Sequence, residues 1–197
     1  MNTNIVIYVV CEGKSEKAYI ASLNRFFREN SIPCIINAES ADKGRYKALS
    51  ETRKRFSKRE RKIKHLWIWA DIDIYKRGDD VLPPDVSNIY FSSFNFEDFL
   101  ILHLTDDKVS SWTDICAQSG HFRVPLHSKD YEPLFRKIFP EYKKGELPQE
   151  LNPITEEYLR NALRHSLDAQ IPFKCTFIEA LAEVIRLVYP TFSELLS

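Results

Sequence analysis

The sequence has no two cysteines close enough to act together. Cys11, Cys34, Cys116 and Cys175 stand far apart with no C-x-x-C step, so neither a zinc site nor a disulfide framework is expected, and the usage fits a reducing cytoplasm. No apolar stretch reaches the roughly 18 residues of a membrane span, and no basic, apolar leader opens the chain, so neither spanning nor export is expected. Excess charge is lacking too. The 28 basic and 28 acidic residues cancel, so the distribution of charge, and not its sum, must decide about polyanionic partners. Gly13-Lys14-Ser15 resembles the end of a phosphate-binding P-loop, but Tyr8 stands where the first glycine belongs, and the backbone cradle is missing. The five histidines show no metal spacing with one another, and His103, after an apolar helix face, reads as a core residue. Ser15 and Cys11 have no base near them in sequence, which argues against nucleophilic catalysis.

What is present is an alternation of strands and helices. A chain of 197 residues, 44% apolar, makes one domain with a sizeable core, with or without a small helical appendage. The run Ile5 to Cys11 has strand length and no polar interruption, which suits a strand buried on both faces of a parallel sheet. It breaks off at Glu12, where Gly13 is expected to let the chain turn sharply, and the carboxyl ends of such strands are where ligands bind. Lys14 to Glu29 carries Tyr19, Ile20, Leu23, Phe26 and Phe27 at helical spacing, and Ser15 is a candidate cap. Ile32 to Ile36 is a second strand and Tyr46 to Lys62 a second helix. Within the stretch from Arg53 to Lys64 lie eight Lys or Arg residues and one acid, Glu60. Such a run is either a solvated outer helix or a surface for phosphate backbones, with Arg53, Lys54, Arg55, Lys58, Arg59, Arg61 and Lys62 as the candidate contacts.

His65 to Ala70 is a third buried strand and runs straight into Asp71-Ile72-Asp73. In extended chain, a D-x-D puts both carboxylates on one side while Ile72 turns to the core. A polar loop over residues 74 to 88 leads to a short fourth strand, Asn88 to Ser93. Next comes a helix with Asn95 as N-cap, Asp98 as the capping acid and Glu97 in the first turn. Beyond residue 105, segments 130 to 139, 155 to 169 and 174 to 189 are helical by periodicity. The division expected is an α/β core over 1–104 and a helical extension over 105–197 packed against it. Glu12, Asp71 and Asp73 share a destination at strand ends, and oxygen-only ligands of this kind suit Mg²⁺ or Mn²⁺. Crowded carboxylates without a cation would raise each other's pKa, and Glu16, one helical turn after Glu12, is in reach of a second ion.

A strand ending in Glu-Gly followed by a strand ending in Asp-x-Asp resembles the Toprim arrangement of topoisomerases, bacterial primases and certain nucleases. The finer pattern is similar to the RloB-like, AbiLii-type family of bacterial defence-associated proteins. The likeness lies in Cys11-Glu12-Gly13-Lys14-Ser15-Glu16, Asp71-Ile72-Asp73, Phe96-Glu97-Asp98-Phe99-Leu100-Ile101-Leu102-His103 and Tyr142-Lys143-Lys144-Gly145. The resemblance implies a Toprim-like parallel-sheet sandwich and metal-dependent phosphodiester hydrolysis of DNA or RNA by an antiphage effector beside a separately encoded ATPase. It implies Glu12, Asp71, Asp73 and Lys144 as catalytic residues, with Glu16 or Glu97 completing a second metal site. Ile74-Tyr75 departs from the polar character of the pattern and leaves the acid count at that second site open. Two other readings stay open: a primase-type nucleotidyl transferase using the same acids, and a non-catalytic regulatory or binding subunit of an ATPase complex.

Overall fold

A computed structural model describes residues 5–41, 45–59, 65–81, 88–187 and 189. Four strands, β1 (Ile5–Cys11), β2 (Cys34–Ser40), β3 (His65–Ala70) and β4 (Ile89–Phe91), form one all-parallel sheet in the order β2-β1-β3-β4. Helices α1 (Lys14–Glu29), α2 (Tyr46–Arg59), α3 (Asp73–Arg77) and α4 (Phe96–Ile101) alternate with the strands, and α5 (Asp106–Ser119), α6 (Ser128–Phe135), α7 (Glu156–Leu167) and α8 (Thr176–Arg186) follow. Parallel strands need long crossovers, and helices in those crossovers cover both faces of the sheet. β1 accordingly sends Ile7 and Val9 to the face under α1, and Val10 to the face under α2, where it meets Leu49 and Phe56.

The larger core lies on the α1 side. Tyr19, Ile20, Leu23, Phe26 and Phe27 are buried there, as their spacing predicts, beside Trp67 and Trp69. Helices α5, α7 and α8 add Trp112, Leu159 and Phe177 to the same cluster, and Trp69 stacks on Phe177 with ring centroids 3.9 Å apart. The alternation of Trp67 and Trp69 is thus core packing. His103 is fully buried, its Nε2 2.9 Å from the Tyr19 hydroxyl and its Nδ1 3.1 Å from the Phe99 carbonyl, which makes it the core histidine that its position suggested.

Several expectations shift. β2 begins two residues later than the apolar run and continues into Asn37, Glu39 and Ser40, because it is an edge strand and needs apolar residues on fewer sides. Its outer edge is closed by Asn24, whose amide donates to the Ile36 carbonyl and accepts from the Ile36 N–H at 2.8 and 2.9 Å. α5 was not read from the sequence: only Val109, Trp112 and Cys116 of its 14 residues are buried, a stripe too thin to stand out. Gly13 is the N-cap of α1 with φ −144° and ψ −164°, extended backbone that other residues also adopt, so no sharp turn calls for glycine there. Ser15 does not cap that helix. Among the described residues, no helix is long and apolar enough to cross a membrane.

Candidate metal centre

With the order β2-β1-β3-β4, the chain leaves β1 toward one side of the sheet and later returns to the other. The strand order therefore reverses between β1 and β3, and the crevice beyond their carboxyl ends is the position where open α/β sheets bind ligands. Glu12 follows β1 and Asp71 follows β3, so adjacent parallel strands deliver both acids to that crevice. The Asp71 N–H donates to Glu12 Oε1 at 2.7 Å, and the Ser92 hydroxyl donates to Asp71 Oδ1 at 2.6 Å. Glu16 comes from the first turn of α1 and is 4% exposed, and the nearby backbone N–H groups of Gly13 and of Glu16 itself favour its charged form. Glu12, Glu16 and Asp71 each place a carboxylate oxygen within 4.8 Å of the other two.

Crowding in a partly buried place has the expected electrostatic effect. Burial, reinforced by the charge of Glu16, pushes Glu12 from its ordinary 4.5 up to about 8, against the pull of the Asp71 N–H. Glu16 is pushed up to about 7, by burial first and then by Glu97, while its backbone donors and Lys144 oppose the shift. Asp71 lies well above the usual carboxylate range because of burial and the charges of Glu12, Glu16 and Asp73. A divalent cation would reverse all three shifts at once. The donor set is oxygen only, which fits Mg²⁺ or Mn²⁺.

Asp73 does not follow from the alternation of an extended D-x-D. The strand ends at Ala70, Ile72 is helical at φ −88° and ψ −8°, and Asp73 opens α3. Its Oδ2 accepts from Arg77 Nη1 at 2.6 Å and its Oδ1 from the Ile74 N–H at 2.5 Å. Ile72 does pack against the core. Glu97 lies in the first turn of α4, beyond an Asn95 cap that accepts from the Asp98 N–H at 3.0 Å, and it accepts from the Tyr142 hydroxyl at 2.8 Å. Burial raises the Glu97 pKa, while the Tyr142 bond lowers it. Lys144 reaches the same place from a turn far along the chain and donates to the Ser128 hydroxyl at 3.0 Å. Glu12, Glu16, Asp71, Asp73, Glu97 and Lys144 all line one cleft of about 520 Å³.

Arg45 and Arg77 line that cleft as well and were not singled out in the sequence. Arg77 could have been found as the basic residue at i+4 from Asp73. The basic face is elsewhere: Arg53, Lys54, Arg55 and Lys58 lie on α2 and do not line the cleft. Arg61 and Lys62, and the side chain of Arg59, fall outside the described residues.

A second group, Asp98, Cys116 and His121, also brings ligand atoms within 4.8 Å of one another, but it is of another kind. Asp98, expected as a capping acid, is fully buried and accepts from Trp112 Nε1 and the Tyr131 hydroxyl at 2.8 and 3.1 Å on one oxygen. Its other oxygen lies 3.1 Å from His121 Nε2, and His121 Nδ1 accepts the Leu126 N–H, so Nε2 carries the proton that bridges to Asp98. The Asp98 side chain is used up tying α4, α5 and α6 together.

Compared with protein-family models, with curated proteins and with solved structures, the chain matches none. The class that the fold and cleft define is therefore an α/β protein with a parallel four-strand sheet and an acidic centre at its strand ends.

Proposed function

We propose that this protein is a metal-dependent nuclease of Toprim-like, RloB-like type, hydrolysing phosphodiesters of DNA or RNA with Mg²⁺ or Mn²⁺. One observation carries the reading. The four short segments that resemble the family pattern, around Glu12, Asp71, Glu97 and Lys144, all contribute residues to the walls of one cleft around three converging carboxylates. Glu12, Glu16 and Asp71 are the residues that would hold the first cation, and Glu16 with Glu97 are available to a second. Bound there, the cation would lower the pKa of water to supply a nucleophile and neutralise charge on the phosphoryl oxygens. Lys144 projects a positive charge into the cleft for the developing negative charge of the leaving oxygen. Arg45 lines the same cleft and is available to the phosphate backbone, whereas the Arg77 guanidinium is already engaged by Asp73 and Asp79. The basic side chains on α2, Arg53, Lys54, Arg55 and Lys58, extend that contact over a neighbouring surface. The antiphage role and the ATPase partner rest on the family resemblance alone.

The test is cleavage of single-stranded DNA, duplex DNA and tRNA by the purified protein and by Asp71→Ala, each with Mn²⁺ or EDTA. Expected is Mn²⁺-dependent cleavage of at least one substrate, lost in Asp71→Ala while circular dichroism is unchanged. Wild-type inactivity on all three, or equal cleavage by the variant, would refute the assignment.

A further inference from the structure

The turn that carries Lys144 is built with more care than a surface loop requires. Tyr142 is buried and Lys144 exposed, and Gly145 adopts φ +93°, a left-handed conformation that side chains disfavour. That conformation aims the Gly145 N–H at Ser15 Oγ, 3.1 Å away and 130 residues distant in sequence. From the same turn the Tyr142 hydroxyl donates to Glu97 Oε1 at 2.8 Å. Two bonds thus tether the turn, one from Gly145 to Ser15 and one from Tyr142 to Glu97. They join the first turns of α1 and α4 to the turn between them, and Lys144 sits inside the span, its amine held at 3.0 Å from Ser128 and its charge felt by both Glu16 and Glu97.

We propose that Ser15 and Tyr142 are positioning residues which, with the left-handed backbone at Gly145, form a preset strut that holds Lys144 over the acidic cleft. A lysine on a four-carbon stem in solvent samples many rotamers, and a cation that must meet charge appearing only in the transition state gains from being placed beforehand. The strut supplies that placement without touching substrate. Its catalytic consequence rests on the nuclease reading, but its mechanics do not.

Two measurements separate the levels. The first is amide hydrogen exchange across residues 142–146 in the metal-free protein, which needs no activity. Ser15→Ala is expected to speed exchange at Gly145 at least about tenfold, and Ser15→Thr, which keeps the hydroxyl, is expected to restore protection. Unchanged exchange in Ser15→Ala would overturn the strut whatever the protein's activity. The second is a double-mutant cycle on cleavage. Ser15→Ala and Tyr142→Phe are each expected to lower kcat about 10- to 100-fold with Mn²⁺ affinity within about threefold of wild type, and to lower it no further in a Lys144→Ala background. Losses that multiply with Lys144→Ala, or variants at the wild-type rate, would overturn the positioning role. Absence of cleavage by the wild-type protein would defeat the nuclease reading and leave the exchange result to decide the strut.

Discussion

Two acid-bearing clusters about one α/β core, one fully buried around Asp98 and one partly buried at Glu12, Glu16 and Asp71, make opposite use of carboxylate chemistry. Asp98 has protein donors on both oxygens, from Trp112, Tyr131 and His121, and its surroundings are complete without an ion. Glu12, Glu16 and Asp71 have a few donors each and mainly have one another. Burial raises the pKa of all three, and each carries a further upward push from a neighbouring carboxylate. A carboxylate with donors on both oxygens is part of the fold, whereas carboxylates short of donors that face one another are poised for a cation. Closeness of ligand atoms alone does not separate the two cases, since both sets meet the same distance.

The largest effect that would sharpen this contrast is on folding. Asp98→Ala strands the Trp112, Tyr131 and His121 donors in the core, and an expected loss of about 3–5 kcal/mol should appear as a lowered urea midpoint. Asp71→Asn, by comparison, is expected to leave metal-free stability unchanged or higher, since it removes a repelling charge; an equal loss in both variants would erase the distinction. A second prediction concerns pH. Between pH 4.5 and about 8 the folded protein keeps protons on Glu12 that the unfolded chain has released, so metal-free stability should fall as pH rises through that window. Thermal melts from pH 5 to pH 8 should show the decline, at roughly 2–4 °C per kcal/mol, and Glu12→Gln should lessen it, with Glu16 and Asp71, whose pKa values are raised as well, supplying the remainder. A melting temperature that rises over this range in metal-free buffer would contradict the assignment. The smallest effect concerns the basic helix: neutralising Arg53, Lys54 and Arg55 together should reduce the salt slope of nucleic-acid binding by up to about 2 to 3. Filter binding across salt concentrations would measure it, and an unchanged slope would assign these side chains to solvation.

Much of this arrangement was legible in the amino-acid order, for physical reasons that also mark where legibility stops. β1, α1 and β3 stood out because full burial demands uninterrupted apolar runs or a wide helical stripe, and Glu12 and Asp71 stood out as the acids ending such runs. β2 was misplaced because an edge strand relaxes that demand, and α5 was missed because three buried residues hold it. At the site, the strand ends were right but the path beyond them was not. Whether Asp73 continues a strand or opens a helix depends on α3, a five-residue helix too short to carry a periodicity. Asp98 occupied the position of a capping acid, and only tertiary contact reveals that its oxygens serve Trp112, Tyr131 and His121. Ser15 likewise looked like a cap, while its real partner lies at Gly145.

The most direct test of the central claim is calorimetric titration of the metal-free protein with Mn²⁺ near pH 7, repeated in buffers of different ionisation enthalpy. Outer partners of metal ligands already cost about 10- to 100-fold in affinity, so Asp71→Asn or Glu12→Gln should cost about 100-fold or more. Binding should release protons, because the raised pKa values of Glu12, Glu16 and Asp71 keep protons on the cluster that the ion displaces. Wild-type protein that binds no Mn²⁺, or variants that bind it with wild-type affinity and no change in proton release, would contradict a cation site at Glu12, Glu16 and Asp71.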